Sequence, residues 1–370
     1  MSDDKSPGAS RDDAVPGRPD RPRYGEYAPE GWTPPAPQQH WAPPPPPPKP
    51  GLIPLRPLFL ADVIAGAFQV IRRNPRPTFW LALGIGFATS LIAIAIVGLV
   101  LWNTLSGVDP TTPPAPDTIR GIVVAVMLAA LVAAIVQIVL AAIPQAVVTL
   151  EVARGTLGER RTLSQLWSLA RGRVGALIGW MLIIGGGIAF VLILAMLGLA
   201  ELAITGGLSG LVAAAGLGVV VTLVLLAAAF WLGTRLAFVP ALIVIERLPI
   251  GAAARRSWDM TRGSFWRILG ITLLVNLIVQ VGAQIITMPI AFLSSFVDQA
   301  QAIDARAVVI LIVSLIVQVV VTAVAIVVQA AVPALLYLDI RMRREGFDAV
   351  LRAYAEARGG GATPSADPFE

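Results

Sequence analysis

From Gly121 to Leu150 the chain reads GIVVAVMLAALVAAIVQIVLAAIPQAVVTL, thirty consecutive residues without a charge. As a helix this stretch exceeds the roughly 20 apolar residues needed to cross about 30 Å of hydrocarbon. Five others qualify: Phe79 to Trp102, Val174 to Ala200, Leu211 to Gly233 with apolar sequence continuing to Ile245, Ile268 to Val297, and Ala307 to Leu338. Several exceed the minimum, so tilt or projection beyond the bilayer is expected. Composition agrees: 56% of residues are hydrophobic, 14% are charged, and the mean hydropathy is +0.75. Water could not solvate such a globule. The sequence predicts an all-α integral membrane protein with six transmembrane helices.

The sequence pI of about 10.2 invites a nucleic-acid reading, but the positions of the bases decide against it. After the first fifty residues they are all Arg and sit beside apolar runs. Arg56, Arg72, Arg73 and Arg76 precede span one. Arg154, Arg160, Arg161, Arg171 and Arg173 lie between spans two and three, and Arg247, Arg255, Arg256, Arg262 and Arg267 between spans four and five. Arg341, Arg343, Arg344, Arg352 and Arg358 follow span six, whereas the alternate connections hold only Arg120 and Arg306. The positive-inside rule then predicts a cell-membrane protein with both termini in the cytoplasm.

Residues 1–50 are polar and Pro-rich, ending in the run Pro43 to Pro48. Too few apolar side chains are present to offset ordering entropy, so a disordered cytoplasmic arm is expected. Tyr24, Tyr27, Trp32 and Trp41 punctuate it as candidate contacts for a cytoplasmic protein partner. Residues 51–340 are expected to form the membrane domain, and 341–370 a basic helix followed by a disordered tail.

The membrane domain repeats internally. Phe68/Arg72, Trp167/Arg171, Trp258/Arg262 and Tyr354/Arg358 each place an aromatic ring four residues ahead of Arg. Pro144 to Glu151, Pro240 to Glu246 and Pro333 to Asp339 each run from Pro through apolar residues to an acid. The unit is a short cytoplasmic amphipathic helix leading a two-span hairpin, present three times with a fourth leading helix at the end. On one helix face, ring and guanidinium can meet the headgroup boundary together. Phe68, Arg72, Trp167, Arg171, Trp258 and Arg262 are therefore candidate contacts for anionic inner-leaflet lipid. The recurring acids, each with Arg154, Arg247 or Arg341 close behind, suggest ion pairs at helix ends.

The segment Pro54-Leu55-Arg56-Pro57-Leu58 through Asp62, Gly66, Phe68 and Arg72-Arg73-Asn74-Pro75-Arg76, with Glu246, Arg255-Arg256-Ser257-Trp258 and Thr261-Arg262-Gly263, resembles a family of uncharacterised bacterial membrane proteins. That family is similar to the membrane domain of glycerophosphodiester phosphodiesterases. The resemblance runs from about Leu52 to Arg358 and implies the membrane part without the catalytic barrel.

Catalytic inventory is sparse. His40 is the single histidine and lies in the arm, and the chain has no Cys. A His-based general base, a Ser-His dyad and a thiolate metal site are thereby excluded from the membrane domain. Lys49 with Arg56-Pro57 matches the opening motif of lipid phosphatases, whose later motifs each need a His that does not follow. No Walker A sequence or nucleophile elbow occurs. The expectation is a non-enzymatic protein without cofactor, metal or nucleic-acid partner, organising inner-leaflet lipids or partner proteins. The alternative is a transporter or lipid-translocation component. It rests on Thr272, Asn276, Gln280 and Gln284 of span five facing Ser314, Gln318, Thr322 and Gln329 of span six as a polar seam. Arg235, where span four has crossed most of the bilayer, is a candidate intramembrane charge.

Overall fold

The structure, a computed structural model, describes residues 51–106, 115–297, 305–359 and 367–369. The proline-rich arm with its aromatic residues and His40 lies outside the described residues.

Helix α1 (Leu60–Arg73) starts where Asp62 accepts a hydrogen bond from the Phe59 amide at 3.1 Å, and carries Arg72 and Arg73 in its last turn, where the helix dipole favours cations. Pro75 disfavours helical geometry at Asn74 and ends it. A π-helical turn (Arg76–Trp80) then leads into α2 (Leu81–Leu105), the body of the first span. The second span is α3 (Pro116–Thr156), opened by Pro at its first position. Helix α4 (Leu163–Met181) begins with a reciprocal cap: the Gln165 amide donates to Thr162 Oγ1 while Gln165 Oε1 accepts from the Thr162 amide. It passes through a π-helical turn (Leu182–Gly186) into α5 (Gly187–Thr205), completing the third span.

The fourth span is α6 (Gly207–Arg235), extended after a turn by the short α7 (Val239–Val244). Then follow α8 (Ile250–Thr261), α9 (Phe265–Val297), α10 (Ala305–Glu345) and α11 (Phe347–Gly359), with α9 and α10 forming spans five and six. Among the described residues, six helices are thus long and apolar enough to cross a membrane.

Their surfaces suit lipid rather than water. Leu223 and Val224 on α6 are each 61% exposed, which hydrocarbon tolerates and water would not. Trp80, Trp102 and Trp266 stand exposed near span ends, as an interfacial aromatic belt requires.

Burial concentrates at the end that gathers the arginines. There α3 is buried on every side from Ala146 to Thr156, beside α7 and the stretch of α10 around Leu335 to Leu338. A helix buried all round is a central one, so the three Pro-to-acid segments form the hub of this end. Leu52, Ile53, Leu55 and Leu58, which precede α1, are buried against it. Gly51 makes that approach possible: a Cβ there would stand 2.0 Å from Gly155 O and 2.7 Å from Gly158 N.

The repeat departs from its sequence pattern once. Helices α1, α8 and α11 are separate leading helices, but the segment with Trp167 and Arg171 is continuous with its span. Breaks occur where the backbone demands them, at Asn74-Pro75 and at Gly263, whose φ is +77°. Gly172, between Arg171 and Arg173, lies inside α4 and introduces no turn.

Candidate functional site at the arginine end

The segment before α1 holds Pro54 and Pro57, which lack an N–H, so its remaining polar groups must be met from outside. The Leu52 amide donates to Gly155 O at 2.8 Å. Arg352 donates twice to Leu55 O, at 3.0 and 3.1 Å. The Leu58 peptide is clamped on both sides: its amide donates to Asp339 Oδ1 at 2.7 Å, and its carbonyl accepts from Arg267 and Arg343, each at 2.8 Å. Asp339 is fully buried, and its carboxylate pairs with Arg267 at 2.7 Å and Arg343 at 2.9 Å. Two arginines, one carboxylate and one backbone unit close into a network that leaves no oxygen of Asp339 bare.

The equivalent acids behave differently. Glu246 accepts from the Tyr337 hydroxyl and pairs with Arg256 at 3.0 Å, while Arg341 donates to Tyr337 Oη at 3.2 Å and to Glu345 at 2.9 Å. Arg341 also stacks over the Phe347 ring at 3.9 Å. Glu151 is buried, its carboxylate oxygens without a hydrogen bond of good geometry among the described residues, with the Asn74 amide close by and Arg73 and Arg160 within electrostatic reach. The arginines nearest in sequence are not the partners. Arg154 pairs with Asp367, Arg341 with Glu345, and Arg247 has no ion pair among the described residues.

Beside α1 lies a groove of about 890 Å³ lined by Phe68, Gln69, Arg72, Arg73, Gly158 and Arg160 among others. Arg73 is anchored, donating to Gly155 O at 2.6 Å and Glu159 O at 3.2 Å. Burial draws its guanidinium below the usual arginine range, an effect the Glu151 carboxylate opposes and the Arg160 charge reinforces. Arg72 and Arg160 are exposed and make no hydrogen bond or ion pair among the described residues.

The expected ring and guanidinium pairs meet mixed outcomes. Phe68 and Arg72 line the groove together. Trp167 and Arg171 stand partly exposed on α4. Trp258 instead faces Arg235, at 5.2 Å, and Trp231, at 5.5 Å, while Arg262 caps α8 beside Asp259. Arg235 sits between the rings of Trp258 and Phe265 with Nε and Nη1 buried. Two aromatic rings therefore flank the guanidinium that the sequence singles out as a candidate intramembrane charge.

The polar seam between spans five and six does not form. Gln280, Gln284, Gln318 and Gln329 are exposed. Asn276 donates to Thr272 O, Ser314 to Ile310 O, and Gln318 to Thr322 Oγ1, each within its own helix. The facing angles prevent it: Ile268, Ile271, Val275 and Val279 turn α9's apolar stripe inward and leave the amides outside. At the opposite end Arg120 reaches Glu201 through two hydrogen bonds of 2.7 and 2.9 Å.

The closing of the Asp339 clamp on Leu58 and the meeting of Arg160 with Arg72 and Arg73 carried no sequence signal, since these contacts join distant parts of the chain, as with Asn74 to Arg161, 87 positions apart, and Leu58 to Arg343, 285 apart. The prolines before α1 were the one available hint, marking a segment whose carbonyls outnumber its donors.

These features define a multi-pass helical membrane protein whose polar interactions cluster at one end of the bundle. Residues 208–349 match a family model described as the membrane domain of glycerophosphoryl diester phosphodiesterase. The match takes in span four through the start of α11, including Arg267, Asp339 and Arg343, and covers well under half of the 370 residues. It concerns the membrane domain and not a catalytic one. No curated protein and no solved structure matches the chain.

Proposed function

We propose that the chain is a non-enzymatic protein of the cell membrane, with both termini cytoplasmic, that holds anionic headgroups of the inner leaflet in the groove beside α1. Its proline-rich arm is then presented to cytoplasmic partners. The observation that carries the reading is the pair Arg72 and Arg160, two exposed guanidiniums without hydrogen bond or ion pair among the described residues, lining one groove with Phe68 and Gln69. Guanidiniums in that arrangement suit phosphate, and an adjacent ring suits the acyl boundary. The arginine distribution supports the orientation, because each of the four arginine-rich segments falls on one side.

The test is lipid retention by the full chain in nanodiscs containing a minority of anionic phospholipid, read by native mass spectrometry. Arg72→Gln with Arg160→Gln should lower retention about 30-fold, from roughly one kcal/mol per arginine near an anionic surface. Inorganic phosphate in a parallel arm distinguishes a lipid site from a free-anion site. Equal retention by the wild type and the double variant would overturn the proposal.

A further inference from the structure

Arg154 is 6% exposed in the last turn of α3. A guanidinium so far out of water needs an anion. Its ion pair is with Asp367, which lies beyond α11 in a part of the chain the sequence predicts to be a disordered tail. Asp367 does two things at once: Oδ2 pairs with Arg154, and Oδ1 accepts the Phe369 amide at 3.0 Å, folding a tight turn across Pro368. That turn sets the Phe369 ring as one wall of a gap whose other walls include Leu150, Ala153, Leu169 and Ile245, with the Phe347 ring 5.6 Å away. Anion, preset turn and ring are the elements of a short linear recognition motif.

The docked residues also form a wall. Pro368 and Phe369 close one side of a cavity of about 580 Å³ whose other lining includes Glu246, Arg247 and Arg341. Glu246 is engaged by Tyr337 and Arg256, and Arg341 by Glu345, which leaves Arg247 as the charge of this lining without an ion pair among the described residues. Arg247 is held at φ +55°, a left-handed backbone that costs a non-glycine residue energy and recurs at ligand clamps.

We propose that the gap between α3, α4 and α7 is a peptide-docking site reading a carboxylate two residues ahead of an aromatic ring, and that Asp367–Phe369 of the same chain occupies it as a latch over the Arg247 cavity. Residues 360–366, Gly-Gly-Ala-Thr-Pro-Ser-Ala, join α11 to the docked motif. A tether that short gives an effective concentration on the order of millimolar, enough to seat a three-residue motif of weak intrinsic affinity. The latch is independent of the headgroup groove, which lies against α1.

The chain lacks Cys, so Ala153→Cys, at a position 1% exposed, reports opening through its reaction with a water-soluble maleimide. Leu169→Cys serves as a second reporter on the other wall. In full-length protein, one copy per nanodisc, labelling should be slow. Asp367→Asn with Phe369→Ala should raise the rate about tenfold or more. A synthetic peptide of residues 362–370 at millimolar concentration should restore protection to that variant, and the same peptide carrying Asp367→Asn should not. Unchanged labelling at both reporters, or no protection by the native peptide, overturns the docking site. Protection in crowded proteoliposomes that vanishes in single-copy discs assigns the occupant to a second copy's tail and overturns the latch in cis.

Discussion

Replacing Asp339 by Asn tests whether the Leu58 clamp holds the arginine end together. The native carboxylate accepts from the Leu58 amide, Arg343 Nε and Arg267 Nη1, at 2.7, 2.9 and 2.7 Å. An amide of the same shape keeps one oxygen and replaces the other with a donor. In one orientation the new NH₂ meets Arg267, and in the other it meets the Leu58 amide and Arg343, so at least one donor is left facing another. Each lost charge-assisted bond is worth about 1.5–3 kcal/mol, and breaking a buried pair about 3–5 kcal/mol. Arg267 and Arg343 are about one-third exposed, at 34% and 36%, and can recover part of that from water. The net loss is therefore roughly 2–3 kcal/mol, which lowers Tm by about 3–5 °C for a domain of this size. Tryptophan fluorescence on heating the nanodisc-embedded protein measures the shift, and hydrogen exchange at Leu58 localises it. In an Arg267→Leu, Arg343→Leu background the same change should cost less than about 1 kcal/mol, because the charges it strands are gone. An Asp339→Asn protein with undiminished Leu58 protection and an unchanged Tm would refute the clamp.

Two other substitutions probe separate parts of the same end. Gly51→Ala places a Cβ 2.0 Å from a backbone carbonyl, so residues 51–58 must lift from α3; a loss of about 2–4 kcal/mol and new proteolytic cleavage there are expected, and an intact, protease-resistant segment would contradict the packing. Trp258→Ala removes the Arg235 cation–π contact and the Trp231 edge contact, for about 1–3 kcal/mol, whereas Arg262→Gln should stay within about 0.5 kcal/mol; equal effects on Tm would restore the pairing predicted from the four-residue spacing.

Six spans were legible because lipid imposes a crude requirement, and runs such as Gly121 to Leu150 meet it without reference to any other part of the chain. The leading helices were legible where Pro75 and Gly263 break the backbone. They were not where Gly172 lets α4 run on, since spacing alone cannot separate an interfacial helix from the first turns of a span. The acids at Glu151, Glu246 and Asp339 were visible as a repeat, yet their partners were not. A sequence reader pairs an acid with the nearest arginine along the chain, while the folded end brings Arg267 and Arg343 to Asp339 and Arg256 to Glu246. The glutamines of α9 and α10 mark another limit. Their periodicity gives depth, but the angle at which each helix turns depends on the apolar stripe, and Ile271 and Val275 took the inner face.

The three Pro-to-acid segments share a pattern and a place in the hub, so what distinguishes them is what each carboxylate meets. Asp339 meets a backbone unit from before the first span, Glu246 meets Tyr337 on span six and Arg256 on α8, and Glu151 has no hydrogen bond of good geometry among the described residues. The first arrangement ties the last repeat to the start of the first across 281 positions, which closes the hub and fixes α1 against α10. The second ties neighbouring repeats. The third leaves a buried acid with no hydrogen bond of good geometry, compensated only at a distance by Arg73 and Arg160, on the side where Arg72 adds further positive charge. In a low-dielectric hub such imbalance is costly unless each charge has a partner. The repeat that is least satisfied internally therefore lies next to the groove proposed for an anion, and Arg73, which senses Glu151 and hydrogen-bonds the backbone at the groove wall, joins the two. Structural closure is concentrated in the third unit and the proposed anion site borders the first, a division that follows from what faces the acid in each copy.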